Sequence, residues 1–168
     1  MVARRGGFTL VEVLIVLAIV GLILLAVFEA IPRARDSQRR QQAHSELNSI
    51  VVAAGTAQTY FGKPLRLITG NGCSDCVCRA PALMTDASCV NNWTNAINKI
   101  GLGGYDISNL STDPWGDPYG LDENEGEMGP TDCRQDSITS AGPDGVLATS
   151  DDITLHIPLR AKPCPPTI

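Results

Sequence analysis

Apolar residues run almost without interruption from Phe8 to Phe28, broken only by Thr9, Glu12 and Gly21. A helix of that length spans about 30 Å, the thickness of a bilayer core. The run is too long for the apolar core of an ordinary secretory signal, and no small-x-small cleavage site follows it. Arg4 and Arg5 precede it, which predicts a cytoplasmic N-terminus and an exported remainder. Pro32 predicts a kink or interruption of the helix. Beyond it Ala43, Leu47, Ile50, Val51, Ala54 and Ala57 recur at threes and fours in a polar background. That spacing predicts an amphipathic helix ending before Gly62, its stripe facing a head domain. The two segments together make one helix of about 50 residues, about 80 Å long at the standard rise.

From Gly62 the composition shifts to Gly, Pro, Asn, Asp and Cys. A short helix is expected over 86–100, with turns and short strands beyond it, among them 136–140 and the alternating 153–157. The predicted fold class is α+β: a long N-terminal helix, apolar in its first half and amphipathic in its second, packed on a small antiparallel sheet.

Charge and chemistry narrow the choice of function. The chain of 168 residues has a net charge of −5 and no stripe of Lys and Arg, so nucleic acid is not indicated as a partner. Six cysteines, Cys73, Cys76, Cys78, Cys89, Cys133 and Cys164, all follow the apolar run. An even count in an exported, loop-rich domain predicts disulfides rather than the alternative of a zinc site at "CSDCVC". His44 and His156 stand apart from that cluster, and neither a Gly-x-Ser-x-Gly elbow nor a His-Glu-x-x-His pair is present. The expectation is therefore not an enzyme. A membrane-anchored calcium- or zinc-binding recognition module stands as a further alternative.

Glu12 is the anomaly in the apolar run, since a charge at the centre of a membrane helix costs roughly 2.5–3.5 kcal/mol on insertion scales. The stretch "GGFTLVEVLIVLAIVGLI" resembles the signal and helix of type IV pilins and pseudopilins. The resemblance implies cleavage between Gly7 and Phe8 by a prepilin peptidase, N-methylation of Phe8, and a glutamate, Glu12, as fifth residue of the mature chain. It implies that Glu12 pairs with the Phe8 amine of a neighbouring subunit, which satisfies two charges that are costly alone in lipid. It also divides the chain into a leader, 1–7, a transmembrane and filament-core helix, 8–31, an amphipathic helix, 32–61, and a pilin head, 62–168. The implied partners are further copies of the chain, the peptidase, an inner-membrane assembly platform, minor pilins and, before assembly, the lipid bilayer. The implied location is the inner membrane first and a periplasmic or cell-surface filament afterwards. Family members commonly carry a proline as twenty-second mature residue, where this chain has Glu29.

Towards the C-terminus, "STDPWGDPYGL" and "DSITSAGPDGVLATSDDITLHI" resemble the C-terminal loop of the major pseudopilins of type II secretion, which binds calcium. Carried over, the ligands are the carboxylates of Asp144, Asp151 and Asp152 with the backbone carbonyls of Ala141 and Ile153. Calcium takes six to eight oxygens, so such a donor set suits it. Turn chemistry with solvated acids is the competing account of the same residues. The family's loop is usually richer in glycine than "VLATS". Major pseudopilins usually lack cysteines, whereas many type IV pilins close a C-terminal loop with a disulfide. That likeness implies a Cys133–Cys164 bridge, with Cys73, Cys76, Cys78 and Cys89 pairing among themselves. The calcium-type loop favours a secretion pseudopilus, and the cysteines favour a surface pilus for adhesion, motility or DNA uptake.

Overall fold

A computed structural model describes residues 9–79, 83–129 and 132–160, apart from the side chains of 26–31 and 33. Contacts divide the chain into two compact units, Met1–Gln38 and Arg39–Ile168. Helix α1 (Leu10–Phe61) contributes to both, and each unit is taken by itself.

In the first unit α1 starts at a cap. Thr9 Oγ1 accepts the Glu12 amide at 3.2 Å, meeting one of the donors that a helix start leaves unpaired. Thr9 and Glu12 thus occupy the first and last places of a Thr-x-x-Glu start signal that the sequence carries within its apolar run. Leu10, Leu14, Leu22 and Leu25 are each more than half exposed. Among the described residues no helix is long and apolar enough to cross a membrane. The segment predicted to do so, 8–31, includes Phe8 and the side chains of 26–31, which lie outside the described residues. At Pro32, where a kink or an interruption was expected, the helix is not interrupted: α1 runs through it as one helix of 52 residues, in line with the predicted length of about 50. Proline removes one i→i−4 bond, and the ladder on either side is long enough to carry the helix past that gap.

The second unit is built on the other half of α1. Ala43, Leu47, Ile50, Ala53, Ala54 and Ala57 are fully buried, so the predicted stripe is the face that meets the core. Helix α1 ends at Phe61, and a short helix α2 (Leu65–Thr69) follows Pro64. Helix α3 (Ala87–Gly101) buries Cys89, Trp93, Ala96, Ile97 and Ile100, one face at helical spacing. The alanines of α1 permit close approach. A Cβ added to Gly103, just past α3, would lie 2.6 Å from the Ala57 Cα, so only glycine fits there.

Three antiparallel strands complete the core in the order β1 (Gly120–Asp122), β2 (Asp136–Ser140), β3 (Ile153–Ile157). Leu121 pairs with Ile138 and Ser140 with Ile153, which sets the apolar side chains Leu121, Ile138, Ile153 and Ile157 into one cluster with α1 and α3. The Tyr119 ring meets Trp93 edge-on at 5.6 Å between centroids, and its hydroxyl donates to Glu46 of α1. Trp93 Nε1 donates to the Leu110 carbonyl at 3.0 Å. Both large aromatics therefore have their polar atoms met, as burial requires.

Two of the acids of "DENEGE", Glu123 and Glu125, are buried, while Asp122 and Glu127 pair with Arg79 and Arg134 nearer the surface. Glu123 accepts from Ser74 Oγ, the Ser74 amide and Thr69 Oγ1 at 2.6, 2.7 and 2.7 Å. Gln58 of α1 lies between Glu125 and Asp136, its Nε2 at 3.4 and 3.3 Å from their oxygens. The Glu125 carboxylate also takes the Arg160 amide, and the Glu125 amide donates to Asp136. Burial, opposed by that amide and reinforced by the Glu125 and Glu123 charges, pushes Asp136 up to about 7. The folded chain thus holds a proton that the unfolded chain loses near 3.8. By linkage this stabilisation is fully present below the unfolded value and is lost as pH rises through the folded one. The melting temperature of the full-length chain in detergent is expected to fall as pH rises from about 4 to about 7, and Asp136→Asn to flatten that slope. An unchanged slope in the variant would assign the proton elsewhere.

Candidate functional site

Two regions carry the predicted site residues. In the first, Gly7 and Phe8 lie outside the described residues. Glu12 is exposed in the first turn of α1 among exposed apolar neighbours, a position where a negative charge also meets the positive end of the helix dipole.

The second region is the loop between β2 and β3. The sequence stretch "DPWGDPYG" closes first, through Asp113. Its Oδ1 accepts the amides of Trp115, Gly116 and Asp117 at 2.9, 3.0 and 3.0 Å, and its Oδ2 accepts Ser140 Oγ at 2.5 Å. The backbone closes the same turn, the Asp113 amide donating to the Asp117 carbonyl at 2.7 Å and the Gly116 amide to the Asp113 carbonyl at 3.0 Å. The Ser140 bond ties that turn to the last residue of β2.

Directly after β2 the chain makes a 3-10 turn at Gly142–Asp144. Gly142 has φ +67, and a Cβ there would lie 2.7 Å from the Asp151 carbonyl oxygen. The two ends of the loop meet through that missing side chain. Within the loop each predicted carboxylate is engaged locally. Asp144 Oδ1 accepts the Val146 amide at 2.9 Å, and Asp152 Oδ2 the Ala148 amide at 2.8 Å. Asp151 takes the Thr149 hydroxyl at 2.7 Å and the Asp144 amide at 3.3 Å. The Thr149 hydroxyl holds the Asp151 carboxyl below its ordinary value, while burial raises Asp152. Ala141 ends the crossing from β2, and Ile153, opposite Ser140, opens β3, so both predicted carbonyl donors flank the loop's base.

A fourth carboxylate belongs to this group. Asp117, delivered by the Asp113 turn, lies beside Gly145: a Cβ on that glycine would be 3.0 Å from Asp117 Oδ2. Burial raises the Asp117 carboxyl, and the charges of Asp113 and Asp144 raise it further. Among the described residues no Lys or Arg forms an ion pair with Asp117, Asp144, Asp151 or Asp152; Arg79 pairs instead with Asp75 and Asp122, and Arg134 with Glu127 and Asp132. The donor set is thus rich in hard oxygens and poor in basic neighbours, which suits a divalent cation. The four carboxylates do not converge on one point. Among the described residues the one group of three whose ligand atoms lie within 4.8 Å of each other is Cys73, Asp75 and Cys76.

That group is not a zinc site in this structure, because Cys73 and Cys76 are bonded to each other. Cys78 and Cys89 form a second bridge with a Cα–Cα distance of 5.3 Å. The implied Cys133–Cys164 bridge has its Cys164 end outside the described residues. Beside the first bridge, burial pushes Asp75 up to about 6 and the Asp122 charge adds to this, against the pull of Arg79.

Sequence reasoning missed Asp113, Asp117 and the Thr9 cap. The signal for the first two was two Asp-Pro pairs flanking Trp115 and Gly116, a spacing that sets one acid to close the turn and the other to leave it. Asp113→Ala is expected to cost about 1–3 kcal/mol, the desolvation cost of amides left without an acceptor. Denaturant unfolding of the full-length chain in detergent measures it, and a midpoint equal to wild type would show that the turn closes without Asp113.

The prokaryotic N-terminal methylation motif matches residues 2–28, spanning Gly7, Phe8 and Glu12. Over 151 residues the chain is 30% identical to type II secretion system core protein G of Escherichia coli (strain K12), covering 90% of each chain. It is 31% identical over 150 residues to the protein of that name from Klebsiella pneumoniae, covering 89% of this chain and 93% of the relative. The relative of the same name from Aeromonas hydrophila is 28% identical over 150 residues, covering 89% of this chain and 91% of the relative. No solved structure matches the chain.

Proposed function

The chain belongs to the family of type II secretion system core protein G, the major pseudopilins, and on that premise we propose how its residues are used. It is a structural subunit of the pseudopilin class. One observation carries this: the likeness to core protein G runs through nine-tenths of both chains, beside a methylation motif over residues 2–28, the stretch that includes Gly7 and Phe8.

The precursor is held in the inner membrane, cut between Gly7 and Phe8 and methylated at Phe8. The subunits then stack into a periplasmic filament. The new amine is a cation and Glu12 an anion, four residues apart in the chain. Each is poorly placed alone in an apolar phase, so pairing between neighbouring subunits favours a fixed stagger. Thr9 supports this by holding the first turn of α1, and with it Glu12, in helical form. The secretion filament takes precedence over a surface pilus because the relatives that span the chain are secretion proteins by name.

The loop after β2 is read as a calcium site. Asp144, Asp151 and Asp152, with the carbonyls of Ala141 and Ile153, are the donors, and Asp117 lies beside the loop at Gly145. The ion supplies positive charge among acids that have no basic partner among the described residues. Its binding draws together carboxylates now engaged with loop amides and with Thr149.

Glu12→Leu is expected to leave the subunit in the membrane but abolish filaments seen by electron microscopy. Mass spectrometry of assembled wild-type subunits should find a methylated Phe8 at the N-terminus; an uncut N-terminus in filaments would overturn the processing scheme. For the loop, chelation should lower the melting temperature of the wild-type chain and leave that of an Asp144→Asn, Asp151→Asn variant unmoved. Equal response in the two would return the loop to turn chemistry.

A further inference from the structure

The acidic loop has one apolar anchor. Leu147 is buried at its centre, while Val146, Thr149 and Ser150 around it are at least partly exposed. It enters a small cluster separate from the main core, formed by Cys78, Met84, Cys89 and Ala141. Two of those four residues are the halves of the Cys78–Cys89 bridge. The backbone contacts agree: Arg79, next to Cys78, forms a parallel bridge with Leu147, and the Met84 amide donates to the Gly145 carbonyl at 3.3 Å. From the other side, Gly120 of β1 makes room, since a Cβ there would lie 3.0 Å from Leu147 Cδ1. The cysteine segment is itself fixed to the rest of the unit. Cys89 lies in α3, the Asp75 amide donates to the Leu121 carbonyl at 2.9 Å, and Asn92 of α3 donates to the Ser74 carbonyl at 3.0 Å.

We propose that the Cys78–Cys89 bridge with Met84 is a socket for Leu147, and that this plug holds the backbone of the loop carrying Asp144, Asp151 and Asp152 in the arrangement from which a cation is bound. Between Gly145 and Asp151 the loop reads "VLATS", with Leu147 its one large apolar residue beside Val146. Here an apolar plug against a disulfide-tied floor does the ordering. Leu147 and the two cysteines are thus positioning residues, acting through the loop backbone without touching the ion. The metal clause rests on the calcium assignment above; the ordering of the loop does not.

The test uses the full-length chain in detergent, as wild type, Leu147→Ala, Leu147→Met and the double variant Cys78→Ala, Cys89→Ala. Amide exchange is followed over 142–152 without metal, and calcium alone is titrated into each. Leu147→Ala and the double variant should exchange at least about tenfold faster in the loop, as expected for an emptied apolar site, and lose calcium affinity by a similar factor. Leu147→Met, which preserves volume, should stay near wild type. Exchange in β2 and α3 should not change, which separates a positioning role from general loss of stability. Loop exchange equal to wild type in Leu147→Ala overturns the socket, and faster exchange with unchanged affinity overturns its coupling to the cation. Wild type that takes no calcium would refute the metal assignment alone, and the exchange arm would still decide on the plug. If the double variant does not fold, the two Leu147 variants carry the comparison.

Discussion

The head of this protein depends on how closely its neighbours can approach one side of a single helix. Between Ala43 and Ala57 the buried face of α1 is mostly alanine, with Leu47 and Ile50 as the two large side chains. Small residues bring the partner backbone near, to the point that Gly103 leaves no space for a Cβ against Ala57. What α1 lacks in bulk is supplied from the other side by Trp93, Tyr119, Leu121, Ile138 and Ile157. The cost of such packing is intolerance: a methylene too many at Ala57 or Gly103 has nowhere to go.

Polar residues of the same unit are organised by the same closeness. Gln58 extends the apolar stripe by one turn and meets two carboxylates, while Glu46 receives the Tyr119 hydroxyl. Acids are used here in three ways. Asp113 accepts amides and makes a turn, Glu123 and Asp136 are buried and raised by desolvation, and Asp117, Asp144, Asp151 and Asp152 lie in or beside one loop with no ion pair to Lys or Arg among the described residues. One residue type serves all three because a carboxylate is at once a turn acceptor, a proton carrier and a hard ligand.

Elements with a strong period were legible in the sequence. The stripe of α1, its end before Gly62, the helix after Asp86 and the strands at 136–140 and 153–157 all follow from the spacing of apolar residues. Helix α2 and strand β1 were not legible, since five and three residues are too few to show a period. The cysteine pairing inside 73–89 could not be read either: four sulfurs allow three pairings, and only the fold selects 73 with 76 and 78 with 89. Of the acidic loop, the three aspartates were visible and their neighbour Asp117 was not. Its approach is made by the Asp113 turn and the Ser140 bond, a contact across 27 positions in the chain. At Pro32 the length of the helix was legible and its continuity was not, since one missing hydrogen bond leaves a long ladder intact on both sides.

The two bridges within 73–89 are short-range, with separations of 3 and 11 residues, while the leucine they receive lies far downstream at 147. Closing so short a loop needs little chain search. The receptacle can therefore be closed covalently within one short stretch, without the strand that brings its occupant. The head joins a part tied by local chemistry to a part, the acidic loop and β3, that reaches it only through the long-range fold.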